Sequence, residues 1–267
     1  MSWFSADEGE DKIMITEATS IKFAVLAAGE GSRLAEEGIL VPKPFVTVAG
    51  KPMIVRLLDI FKAISSTQIL MITNDAVYHY MTENGDLNEV QLIVKTTPSS
   101  MHSLYELMPR LGNGPFILTT VDTIFREEEF KRYVNAFVQA IERGEEIDGM
   151  MAVTDFVDDE KPLWVSTDKD LQITGFHDSQ EQFLLSGVQG ECRFVSGGIY
   201  GLTGSCFPTL IRCIQSGQSR MRNFQRALVA DGLRLVAYPF SKILDVDHAE
   251  DIQKAEAFLK QDPFNDK

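Results

Sequence analysis

Residues 21–28, IKFAVLAA, carry one polar position in eight and stop at Gly29 and Gly31. A short apolar run without alternation predicts a strand buried on both faces, as in a parallel sheet. Helical spacing follows over 52–63, where Ile54, Leu57, Leu58 and Phe61 share one face and Pro52 suits a first helical position. Strands are predicted again over 68–73, 90–95 and 116–120, a helix over 103–111, and a longer helix over 127–143 through Phe130, Val134, Phe137, Val138 and Ile141. This alternation predicts a parallel sheet covered by helices, with ligands at the carboxyl ends of its strands. Beyond Gly149 the texture changes to strand-like runs at 150–156, 163–166, 171–174 and 194–202 with little helix between them. That predicts a smaller antiparallel addition. The chain then returns to a strand over 233–238, a turn through Asp245 and Asp247, and a helix over 249–259.

Residues 1–20 include Asp7, Glu8, Glu10 and Asp11 and show no periodicity, so they read as an acidic extension ahead of a single domain over 21–267. No apolar run approaches the roughly 18 residues of a membrane span. The start lacks the basic and apolar regions of a secretory signal, so the expected location is the cytoplasm. A formal net charge of -14 repels polyanions and argues against broad binding to nucleic acid or an anionic membrane. Cys192, Cys206 and Cys213 form no CxxC pair, and His79, His102, His177 and His248 have no metal-ligand spacing. Reduced thiols are expected, and zinc is not. The oligomeric state, a homo-oligomer included, stays open.

The segment 26–51, LAAGEGSRLAEEGILVPKPFVTVAGK, concentrates the candidate chemistry. Two glycines directly after a buried strand permit a tight turn whose N–H groups can cradle phosphate oxygens. Arg33 adds a fork of donors, and Lys43, between Pro42 and Pro44, adds a second cation in a stiffened stretch. The pattern is neither a dinucleotide fingerprint, since Leu34 stands at the third glycine, nor a Walker sequence. Asp122 closes the apolar strand FILTTVD, where a carboxylate can hold a hard divalent cation or simply cap a turn. Asp245 and Asp247 lie before the last helix; Asp247 there is either that helix's cap or a second metal ligand.

The residues 26–34, 42–45 and 50–52 closely resemble the signature of the sugar-phosphate nucleotidyltransferase family, LAAGxGxRL, then PKPL and a GKP triplet. The resemblance implies an α/β fold, a Rossmann-like mostly parallel sheet with helices on both faces and a smaller antiparallel acceptor-binding region. It implies transfer of a nucleoside monophosphate from an NTP to a phosphorylated acceptor, a sugar 1-phosphate first, with release of pyrophosphate. Phosphocholine-type acceptors form an alternative, as does a non-catalytic nucleotide-binding role. Carried over, the nucleotide contacts fall to Leu26, Ala27, Ala28, Gly29, Gly31, Ser32, Arg33, Ser99 and Ser100. Catalytic roles fall to Arg33, Lys43 and Asp122, and Mg2+ to Asp122 with Asp245 or Asp247. Acceptor contacts fall to Gly197, Gly198 and Tyr200 in SGGIY and to Lys242, with Arg193 beside them. The chain departs from the signature in two places: residues 35–41 replace the usual proline, leucine and threonine, and His248 with Ala249 replace a threonine and proline.

Overall fold

The structure is a computed structural model that describes residues 21–64, 68–84 and 90–261; the acidic extension expected over 1–20 lies outside them. In β1 (Lys22–Ala27) successive side chains point to opposite faces: Ala24 and Leu26 enter one apolar cluster, Phe23, Val25 and Ala27 another. Both faces are buried, which is why the run lacks alternation. α1 (Ser32–Glu36) leaves the glycine turn, and the short pair β2 (Thr47–Val48) and β3 (Lys51–Pro52) leads into α2 (Met53–Ile64). β4 (Ile69–Thr73), α3 (Asp75–Asn84), β5 (Val90–Val94), α4 (Ser100–Leu111) and β6 (Phe116–Thr120) complete the parallel half, β1 lying between β4 and β6 and β5 flanking β4.

After β7 (Thr123–Ile124) and α5 (Glu127–Glu142) come β8 (Gly149–Thr154), β9 (Trp164–Thr167), β10 (Ile173–His177), α6 (Gln180–Ser186) and the long β11 (Glu191–Leu202). β11 runs antiparallel to β6, β8 and β9, so the antiparallel region continues the central sheet, nine strands among the described residues. The chain ends through α7 (Phe207–Gln215), α8 (Met221–Ala230), β12 (Leu235–Phe240), β13 (Leu244–Asp245) and α9 (Ala249–Lys260).

The expectation of little helix between the strand-like runs of 150–202 is corrected by α6, and α7 and α8 lie within 207–230, where no element was predicted. In α8, Met221, Phe224, Gln225 and Leu228 make the buried face. One of those positions is polar and the helix is only 10 residues long, which blunts the periodic signal. α3 escapes the sequence reading as well, because only Val77 and Met81 of it are buried. α4, α7 and α8 cover one face of the sheet, α2 and α5 the other. A third cluster, built from Leu34, Val46, Val48, Met53, Ile124, Leu244, Val246, Ala255 and Phe258, lies beneath the acidic residues described next.

Candidate active site

A cavity of about 840 Å³ opens at the carboxyl ends of β1 and β6, and all nine expected nucleotide residues, Leu26 to Gly29, Gly31 to Arg33, Ser99 and Ser100, are on its wall. The two glycines of the turn do different work. Gly31 begins α1 at φ 62, a left-handed conformation that favours glycine, and a Cβ there would stand 2.9 Å from the Cβ of Lys43. Gly29 has neither constraint in this structure. The turn is held from behind by Asn74, whose amide donates to the carbonyls of Ala28 (3.3 Å) and Gly29 (3.4 Å) while its oxygen caps α3 at the N–H of Val77. Asn74 carries no motif and was invisible in the sequence; its only cue is an asparagine directly after a buried strand.

Backbone pairing brings the acidic residues together. β13 is antiparallel to β7, with Leu244 opposite Ile124 and Asp245 opposite Thr123, and the N–H of Val246 donates to the carbonyl of Asp122 at 3.1 Å. Alternation along 244–247 then buries Leu244 and Val246 and turns Asp245 and Asp247 toward the cleft. The Asp122 turn is tied by a 2.6 Å hydrogen bond between the Thr120 and Thr123 hydroxyls.

The Lys43 ammonium, 11% exposed, donates to Asp122 and, at 2.6 Å, to Asp247. Arg33 reaches the other oxygen of Asp247 at 3.1 Å. Burial disfavours the Lys43 charge, but Asp122 and Asp247 outweigh it and raise its pKa. Burial likewise opposes ionisation of Asp122, yet the Lys43 ammonium and the Thr120 hydroxyl hold its carboxyl below the usual range. Asp247 is not the cap of α9: the N-cap of that helix is His248, and Asp251 reaches back to the N–H groups of His248 (2.8 Å) and Asp247 (3.2 Å).

Asp245 differs from both. Its carboxyl opens into the cleft without a hydrogen bond or ion pair among the described residues, and surrounding protein, with Asp122 and then Asp247, raises its pKa to about 8. An unpartnered carboxylate crowded by two others is a hard-oxygen donor set suited to magnesium. Among the described residues no three acidic, His or Cys side chains converge into a closed metal cage.

A second cavity shares Arg33 and Asp247 with the first and also reaches Asp245, Gly197 and Ser196. The other expected acceptor residues line neither cavity. Gly198, at φ 73, and Gly197 leave the room taken by Thr123 and Ile243, so they seat the segments carrying Asp122 and Asp245. Tyr200 is buried behind the same acids. The Lys242 ammonium lies 3.9 Å from the centre of the Phe156 ring, and Arg193 pairs with Glu191 and stacks on Phe194. Residues that the sequence reading missed, Asp158, Asp159, Glu160, Glu250 and Lys254, line this second cavity instead. They come from loops and a helix face without a motif.

A family model described as the MobA-like NTP transferase domain matches residues 23–229. The chain belongs to the MobA-like NTP transferase family. Solved structures agree in fold. An inositol-1-phosphate CTP transferase from T. maritima is similar at 15% identity, with a TM-score of 0.67 and coverage of 91% of this chain and 97% of that one. A Bacillus anthracis protein described as a glucose-1-phosphate thymidylyltransferase aligns with a TM-score of 0.71 at 18% identity, covering 91% and 97%. A CTP:phosphocholine cytidylyltransferase from Streptococcus pneumoniae gives 0.68 at 17%, covering 90% and 100%. In this MobA-like NTP transferase the matched span includes the glycine turn, Lys43 and Asp122 and ends before Asp245 and Asp247. The nucleotidyltransferase assignment thus rests on the span that builds the first cavity.

Proposed function

We propose that this nucleotidyltransferase binds an NTP in the 840 Å³ cavity and passes its nucleoside monophosphate to a phosphorylated small molecule in the second cavity. The observation that carries the reading is the ion-pair cluster of Lys43 and Arg33 on Asp247, since Arg33 and Asp247 line both cavities and Lys43, held also by Asp122, lines the first. An acceptor phosphate oxygen attacks the α phosphorus in line, and pyrophosphate leaves on the opposite side. The nucleophile is already an anion, so the protein's work is alignment and charge stabilisation. Amides of the glycine turn and Arg33 face the leaving phosphates, and Lys43 faces the reacting centre. Asp122 and Asp245 would hold magnesium, which supplies charge neutralisation across phosphate oxygens.

A sugar 1-phosphate is the first acceptor to test. The lining favours a second: Asp158, Asp159, Glu160, Glu250 and Asp251 surround the second cavity, and Lys254 is already engaged by Asp158, Glu250 and Asp251. That wall suits an acceptor whose far end is cationic, such as an amino-alcohol or choline phosphate. Pyrophosphate release with magnesium, over a panel of NTPs crossed with sugar 1-phosphates and amino-alcohol phosphates, tests both. Turnover of one pair is expected. NTP binding without turnover of any pair would sink the catalytic reading.

A further inference from the structure

The two places where this chain departs from the family signature touch each other. Glu37, in the 35–41 segment, follows α1, and its carboxylate spans 211 residues to reach the start of α9. One oxygen meets Nδ1 of His248 at 2.6 Å, and the other accepts the backbone N–H of Ala249 at 2.6 Å. On the same short helix, one turn earlier, Arg33 grips Asp247, the residue immediately before His248. Three successive residues, Asp247, His248 and Ala249, are thus clamped by two side chains of one helix end. Ile39, from the same segment, packs on the apolar cluster beneath Asp122 and Asp245, which anchors the clamp to the floor of the site.

We propose that Glu37 is a positioning residue for nucleotidyl transfer. By fixing the first turn of α9 to the end of α1, it sets where Asp247 stands relative to Arg33 and Lys43, and with it the position of the Lys43 ammonium against Asp122, one of the carboxylates that would hold magnesium. The inference rests on the function proposed above. An exposed carboxylate–imidazole contact contributes little to stability, so the effect belongs in the site's geometry and not in the fold. Misplacement by about 1 Å can cost on the order of a hundredfold in rate.

The test compares wild type, Glu37→Ala and Glu37→Gln. Titration calorimetry measures NTP binding with and without magnesium; kcat is read from pyrophosphate release and Tm from thermal unfolding. Glu37→Ala is expected to keep wild-type Tm and metal-free NTP affinity, to need roughly tenfold or more magnesium for half-saturation, and to lose roughly ten- to a hundredfold in kcat. Glu37→Gln, whose amide oxygen still accepts from Ala249 and whose NH2 can serve Nδ1, is expected close to wild type. A Glu37→Ala variant with wild-type magnesium dependence overturns the proposal, as does a Glu37→Gln variant as impaired as Glu37→Ala. Wild type that binds magnesium–NTP but releases no pyrophosphate would refute the reaction alone, with the clamp still decided by the titration. Wild type that binds no NTP overturns both.

Discussion

Lys43 gathers the constraints that act on single residues. Its ammonium joins Asp122 to Asp247, while its Cβ lies against the position that a side chain at Gly31 would occupy. Replacing Lys43 with alanine removes one cationic contact of a kind typically worth about 3 kcal/mol in the transition state, roughly a hundredfold in rate. Purified Lys43→Ala is expected to lose at least that in pyrophosphate release while keeping a cooperative thermal transition. The glycines separate cleanly. Gly31→Ala puts a Cβ into a left-handed position, which costs about 1–2 kcal/mol, and it also crowds Lys43, so both Tm and NTP affinity are expected to fall. Gly29→Ala meets nothing within 4 Å and has no positive φ, so its ligand-free Tm is expected to match wild type. Equal Tm losses in thermal unfolding of the two variants would contradict this account of the turn.

At the scale of elements, the acidic centre is a product of strand pairing. β7 and β13 align Asp122 with the 244–247 segment, and the alternation that buries Leu244 and Val246 is what exposes Asp245 and Asp247. Ile124→Ala empties the cluster below them; for a buried side chain of this size the cost is about 2–5 kcal/mol. A lower Tm together with weaker magnesium-dependent NTP binding is expected, since packing and carboxylate spacing share this cluster. Normal metal dependence in a destabilised Ile124→Ala would separate the two. The sequence showed these carboxylates as singles beside a glycine motif, and it offered a helix cap as an equal role for Asp247. The cap role disappears because Asp251 serves the end of α9 while Arg33 and Lys43 claim Asp247.

Across the molecule, a chain of net charge -14 brings carboxylates close to a site that must receive anions. Asp245 registers the conflict: its pKa stands at about 8 against an ordinary 3.8. A carboxyl with a raised folded value adds stability that is fully present below 3.8 and is lost as pH rises through about 8. The metal-free protein is therefore expected to lose Tm across that window, and Asp245→Asn to flatten the loss, in thermal scans against pH. A wild-type profile as flat as that of Asp245→Asn would remove Asp245 as the group responsible. No helix among the described residues is long and apolar enough to cross a membrane.

By itself the sequence determined the buried parallel strands, the glycine turn after β1, and the Leu26 to Arg33 run on the wall of the first cavity, because each is local: a hydrophobic period, a backbone freedom, a contiguous motif. Tertiary structure alone decided the rest. It placed Lys43 between acids 79 and 204 residues away, made Gly197 and Gly198 seats for the acidic segments, and took Lys242 onto an aromatic ring. It also surrounded the second cavity with carboxylates from separate loops. Those are consequences of which surfaces meet when a sheet twists and its helices pack, and no spacing along the chain encodes them.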